Sequence, residues 1–226
     1  MLSRFSLRYE RICRMIVTIF AVNVAMVAHT LLGAVIVGFF PSIAAAHSTY
    51  RLWLLSSDRV WSVRKTWSTF HGFWKGEIRS ANEFGWSLSG VWLLLIVDYW
   101  MVNWHDIGGT IGIGISGALV VIMVFVGMFT LLSWVLRSNF NESNRWAIKT
   151  TLQMVVARPL CSLITAALFM LTVWAWYTWP GILVVFGLSV PAFLSSITVF
   201  SYARLPGMDI HGTRFSVATP SNNTED

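Results

Sequence analysis

The run at residues 108–136, GGTIGIGISGALVVIMVFVGMFTLLSWVL, decides the fold. No charged residue occurs from Ile107 until Arg137. A bilayer's hydrocarbon core is about 30 Å thick and takes about 20 apolar residues of helix to cross. This run is longer than that, and a soluble fold would have to bury it on every side. It reads as a membrane-spanning helix, and the rest of the chain is read outward from it.

Composition agrees. Of the 226 residues, 56% are hydrophobic and only 12% charged, with a mean hydropathy of +0.65. Soluble domains carry about 25% charged residues, so half the usual charge is missing. The 13 Trp suit membrane–water boundaries, where an indole ring is apolar and its N–H finds water. The net charge is +6. A basic balance can mean nucleic acid. Here the Arg and Lys lie between or beside apolar runs, as expected of charges held at the cytoplasmic face of a bilayer, so the lipid bilayer is the expected partner and nucleic acid is not. Cys13 and Cys161 are far apart without metal spacing and read as small core residues. No cofactor or metal is expected.

Residues 1–14 are basic and amphipathic, with Arg4, Arg8, Arg11 and Arg14 against Glu10. The apolar run at 15–46 ends on Ala44-Ala45-Ala46 and imitates a secretory signal, but a signal's apolar region covers only about 7–15 residues. It reads as a first span over approximately 15–40. Asn23 and His29 are polar within it, and Gly33, Gly38 and Pro41 interrupt its second half. Either neighbouring helices satisfy Asn23 and His29 by hydrogen bonds, or the two belong to a polar site between helices. In residues 47–85, His47, Arg51, Arg59, Arg64, Lys65, Lys75 and Arg79 alternate with aromatic residues. Trp67, Phe70 and Trp74 recur at i, i+3, i+7, one face of a helix. A basic helix with an aromatic stripe reads as lying in the interface, or packed under the membrane domain, with Trp67 and Trp74 interfacial.

A second span covers residues 86–104, with Asp98 as its one charge. An intramembrane carboxylate is a functional candidate by default, although Asp98 sits only about two turns from the end, where water or a neighbouring helix can satisfy it. Only His105-Asp106-Ile107 separates this span from the glycine-rich third, 109–136, so the two form a tight hairpin. Gly108, Gly112 and Ser116 are spaced by four, as are Gly114 and Ala118, a pattern that lets helix backbones approach closely. Asn139, Asn141, Ser143 and Asn144 suit a turn or cap. A fourth span covers 160–179, with Pro159 tolerated in its first turn and Arg158 at the cytoplasmic interface, reaching phosphate groups or a helix end. A fifth covers 182–202, with Pro191 expected to kink it. Residues 206–226 read as a disordered cytoplasmic tail.

The expected fold is all-α: one membrane domain, residues 1–205, a helix bundle of about five spans with an amphipathic segment between the first and second. A cytoplasmic C-terminus places Arg137, Arg145, Lys149 and Arg204 inside and leaves the outer turns without Lys or Arg, the positive-inside pattern. One simple crossing by the first span would put the N-terminal arginines outside. A break over residues 33–41 that returns the chain inward resolves this, since irregular backbone is tolerated where protein covers it.

Several residues together resemble the YesL family of bacterial integral membrane proteins, whose function is uncharacterised. They are the basic N-terminus, Gly38-Phe39-Phe40-Pro41 with Ala44-Ala45-Ala46, Phe70, Phe73-Trp74-Lys75, Ile78-Arg79, Asn82, and Arg158-Pro159-Leu160. The resemblance covers most of residues 5–205. The family has no established catalytic residues to carry over. Its genes often lie beside carbohydrate ABC importers and glycoside-degrading enzymes, which implies a role in sugar uptake or its regulation in the bacterial cytoplasmic membrane.

Neither HExxH, GxSxG, a Walker lysine loop nor a Rossmann fingerprint occurs, and Asp98 has no second membrane acid, so an enzyme is not expected. Two readings remain. In the first, the protein is an accessory subunit that docks on a sugar permease or on a second copy of itself. In the second, it is a small transporter or channel with Asn23, His29 and Asp98 lining a path.

Overall fold

The computed structural model describes residues 2–56, 59–104, 109–140 and 143–202, and the side chains from residue 9 onward. The expectations for Arg4, Arg8, His105, Asp106, Gly108, Asn141 and the tail from residue 203 lie outside the described residues. Within them the chain is all-helical: α1 (Leu2–Leu32), α2 (Phe39–Leu55), α3 (Val63–Trp104), α4 (Gly109–Asn139), α5 (Asn144–Ala157), α6 (Pro159–Thr178), α7 (Pro180–Phe186) and α8 (Ser189–Tyr202). Four stretches are long and apolar enough to cross a membrane: Tyr9–Leu32, Val63–Trp104, Gly109–Asn139 and Pro159–Thr178. The bent pair α7 and α8 makes five if taken as one span.

The first apolar run is broken, and glycine explains how. Between Leu32 and Phe39 the chain reverses in a turn held by Val35 N–H to the Thr30 carbonyl at 2.8 Å and Gly38 N–H to the Gly33 carbonyl at 3.1 Å. A Cβ on Gly33 would overlap the Gly38 backbone, and one on Gly38 would lie 2.6 Å from the carbonyl oxygens of His29 and Thr30. Only hydrogen fits at either place. Pro41 falls in the first turn of α2, where a missing N–H costs nothing.

Beyond the turn, α2 comes back against α1 and packs also on α3, α4 and α8. Its Ala44, Ala45 and Ala46 are buried, small enough to let four helices crowd one axis. The residues expected to open an interfacial segment, 47–55, are instead the second half of this buried helix. His47, Thr49, Tyr50 and Trp53 all lie inside. The remainder of that segment, from Val63, is the first half of α3, which runs on without a break into the apolar residues 86–104. Gly85 marks the change of surroundings: the Phe40 ring lies on it so closely that a Cβ could not fit.

From Glu77 onward, α3 pairs with α4 as an antiparallel hairpin. The ladder reads Asn103 with Ser116, Trp92 with Thr130, Phe84 with Trp134, and Glu77 with Arg137. Ser143 caps α5 by accepting the Trp146 N–H at 3.3 Å. The last apolar run bends by 72° between α7 and α8. The bend is at Gly187 (φ +41°) rather than at Pro191, which sits harmlessly in the first turn of α8.

Candidate functional site

The aromatic stripe of α3 finds its partner on α1. Trp67, Phe70, His71 and Trp74 stand at i, i+3, i+4, i+7, and their ring centroids lie 5.0–5.3 Å from that of His29. His29 is 0% exposed. Its Nδ1 lies 2.8 Å from the Ala25 carbonyl, which can only accept, so Nδ1 carries the proton. In a neutral ring Nε2 is then an acceptor, and the His71 Nδ1–H donates to it across 3.0 Å. Since His71 is exposed, a continuous line of hydrogen bonds runs from the surface to a backbone carbonyl of α1. Trp67 stays 39% exposed at the rim, and the Trp74 indole N–H reaches the Gly38 carbonyl at 3.4 Å. This nest therefore clamps α1, the Gly33–Gly38 turn and the start of α3 together.

A second polar cluster joins α3, α4 and α5. Arg137 Nη2 donates to Glu77 Oε2 at 2.5 Å and to Ser80 Oγ at 2.7 Å, and its Nε donates to Asn144 Oδ1 at 3.2 Å. The guanidinium also lies 5.9 Å from the ring centres of both Phe84 and Trp134. The Arg137 side chain is only 7% exposed and Glu77 31%. A buried cation is tolerated when it is paired and hydrogen-bonded, and here the Nε and Nη2 protons are given to Asn144, Glu77 and Ser80. Sequence reasoning placed Arg137 among the cytoplasmic loop charges and did not single out Glu77, Ser80 or His71. A signal was present: Glu77 and Ser80 are i, i+3 on one face of a basic helix, and Arg137 is the first charge after 30 uncharged residues.

The three polar residues taken from the apolar runs do not share a site. Asn23 Nδ2 donates to the carbonyls of Val184 (3.2 Å) and Val185 (2.9 Å), the open end of α7 where the chain bends. A Cβ on Gly187 would lie 2.5 Å from Asn23 Oδ1, so the glycine makes room for this amide. His29 belongs to the nest just described. Asp98 is exposed on the far half of α3, with no hydrogen bond or ion pair to the described residues.

Of the small-residue spacing in α4, Ser116 Oγ donates to Asn103 Oδ1 at 3.0 Å, so that face looks toward α3, and Gly112 is half-buried one turn away. Gly114 and Gly117 point the other way, into open space. Arg158 Nη1 donates to the Tyr202 carbonyl at 3.3 Å, a helix-end contact. Cys161 is buried, and Cys13 is half-buried. Among the described residues no group of three His, Cys, Asp or Glu stands close enough to hold a metal ion.

Residues 19–99, from the middle of α1 to the far half of α3, match the family described as "Protein of unknown function, DUF624". That stretch holds Asn23, His29, Trp67, Trp74 and Asp98 and leaves out Arg137 and Arg158. The chain is also 28% identical over 214 residues to the "Uncharacterized protein YteU" of Bacillus subtilis (strain 168), covering 91% of this chain and 88% of that one. No solved structure matches it. Neither match carries the YesL name; together they liken this helical, membrane-type chain to a bacterial family whose function is uncharacterised.

Proposed function

We propose that the protein is a non-catalytic, multi-pass component of the bacterial cytoplasmic membrane that assists or regulates carbohydrate uptake of the ABC type by packing on the membrane helices of a permease. The observation that supports this most directly is the far end of the α3–α4 hairpin. Beyond Gly85 and before Leu132 no described residue of either helix is buried, and α4 turns Gly114 and Gly117 outward with nothing within 4 Å of a side chain built there. Small residues on an open helix face allow a second helix to come close, and in lipid such packing is what drives association. The sugar-uptake assignment rests on the family resemblance alone. The distribution of Lys and Arg supports a cytoplasmic C-terminus.

Of the polar groups expected to line a transport path, Asn23 and His29 engage separate partners and Asp98 stands apart from both, which favours the accessory reading over a transporter. The test has two arms. Deleting the gene and screening growth on single carbon sources should reveal a defect on at least one sugar. The tagged protein should co-purify with that sugar's permease, and Gly114→Leu should abolish the co-purification while leaving the purified chain folded. Sugar uptake by vesicles that hold this chain alone would overturn the reading.

A further inference from the structure

A cavity of about 200 Å³ lies where α1, α2, α4, α6 and α8 meet, walled chiefly by Met26, Ile43, Leu131, Trp134 and Phe169, with His47, Thr130 and Ser195 as polar residues on its lining. We propose that it binds an uncharged, lipid-soluble alcohol, whose apolar body fills the cavity and whose hydroxyl donates to His47 Nε2.

The hydrogen-bond inventory carries this. His47 is 4% exposed, and its Nδ1 lies 3.1 Å from Ser196 Oγ. The Ser196 hydroxyl proton is already given to the Ala192 carbonyl at 2.8 Å, so the ring must be the donor in that pair. No acidic side chain lines the cavity, and a neutral imidazole has one donor and one acceptor nitrogen. Nε2 is therefore an acceptor, and it has no hydrogen bond to the described residues. The other hydroxyl protons on the wall are committed. Thr130 donates to the Val126 carbonyl at 2.7 Å and accepts the Trp92 indole N–H at 3.0 Å, and Ser195 donates to the Ala192 carbonyl at 3.1 Å. The His47, Thr130 and Ser195 side chains thus offer the cavity no free proton, only acceptors, with the imidazole Nε2 and the Ser195 hydroxyl oxygen open among apolar walls.

That inventory selects the ligand class. A sugar would bring more hydroxyls than these acceptors can satisfy, leaving the rest buried and unpaired. A carboxylate or phosphate would meet no cation. A single donor on an apolar body matches both features. An apolar cavity of about 150 Å³ holds benzene, so this one takes a substituted ring or the hydroxyl end of a longer alcohol. Leu131 and Phe169 belong to α4 and α6, both of span length, so the ligand enters from the bilayer rather than through a loop.

The matched probes are p-cresol and toluene, added to the full chain labelled with 15N-histidine in phosphatidylcholine nanodiscs. The His47 signal is the one absent in His47→Phe. Should that variant not fold, it is the one displaced by Ser196→Ala, which removes the Nδ1 partner. At a few equivalents p-cresol should move the His47 Nε2 resonance saturably, while toluene should leave it in place and compete with p-cresol. Glucose should do neither. A p-cresol shift that never saturates, falls on other histidines or is indifferent to toluene would overturn the proposal, and the toluene competition needs no variant.

Discussion

Helix α2 and the outer part of the α3–α4 hairpin invert the rule of soluble proteins. In its 17 residues α2 carries Ser42, His47, Ser48, Thr49 and Arg51, yet 12 of them are buried and only Leu52 is exposed. The apolar window of α3 is only 6% buried and that of α4 28%. The greasier helices are outside and the more polar one inside. In water this would expose large apolar faces, whereas in lipid the tails are as apolar as leucine and such helices need no protein cover. What must be enclosed is anything with a hydrogen-bonding group. Position in this bundle therefore follows polarity and side-chain size, and hydrophobicity serves mainly to place a helix in the membrane.

Glycine offers the hardest test of that contrast. Gly38→Ala puts a methyl group against the carbonyls of His29 and Thr30, which are backbone atoms of α1 and cannot swing aside. Overpacking of this kind should cost about 3 kcal/mol, seen as a marked fall in the midpoint of thermal unfolding in detergent. Gly114→Ala meets nothing and should stabilise by up to about 1 kcal/mol through helix propensity alone. Equal effects at the two positions would erase the distinction between enclosed and lipid-facing glycine.

Glu77→Gln sharpens the same contrast at the junction of the two regions. The amide can still accept from Arg137, but the guanidinium loses its counter-charge while remaining 7% exposed. Removing one partner of a fully buried pair costs about 3–5 kcal/mol. Because Glu77 is partly exposed, the loss here should be about 2 kcal/mol, again read by thermal unfolding. Arg79 and Glu83, an exposed i, i+4 pair on the same helix, supply the control: Glu83→Gln should cost no more than about 0.5 kcal/mol.

The apolar period of residues 108–136 was enough to declare helix and membrane, and Gly33, Gly38 and Pro41 were enough to declare a break. Both are local signals, since hydropathy and backbone freedom are properties of the residues themselves. The i, i+3, i+7 aromatic face of α3 was equally legible. Its partner was not, because nothing local to Trp67 or Trp74 names His29, more than 30 positions away. The same limit hid the burial of residues 47–55. Basic and aromatic residues read as an interface when scored one by one, and only the triple alanine ahead of them hinted that four helices could close around α2. Sequence puts the bend at Pro191 and the structure at Gly187, because a proline in a helix's first turn is silent and the amide that needs room at Gly187, Asn23, is far away in sequence.

Asp98 gives the smallest expected effect and the most direct check on whether α3's far half acts within this chain. It lies on the exposed hairpin, six residues before Trp104, a rise of about 9 Å, and it has no hydrogen bond or ion pair to the described residues. Asp98→Asn should therefore shift stability by less than about 0.5 kcal/mol, the range of surface substitutions without a named mechanism. Its effect should surface only in the membrane, as altered co-purification with a permease if the carboxylate meets a partner's side chain. A loss of about 2 kcal/mol in the purified chain would mean that the hairpin's exposed face is closed by a second copy of itself. The comparison with α2 would then need to be redrawn for a dimer, with Gly114 and Gly117 lining the seam.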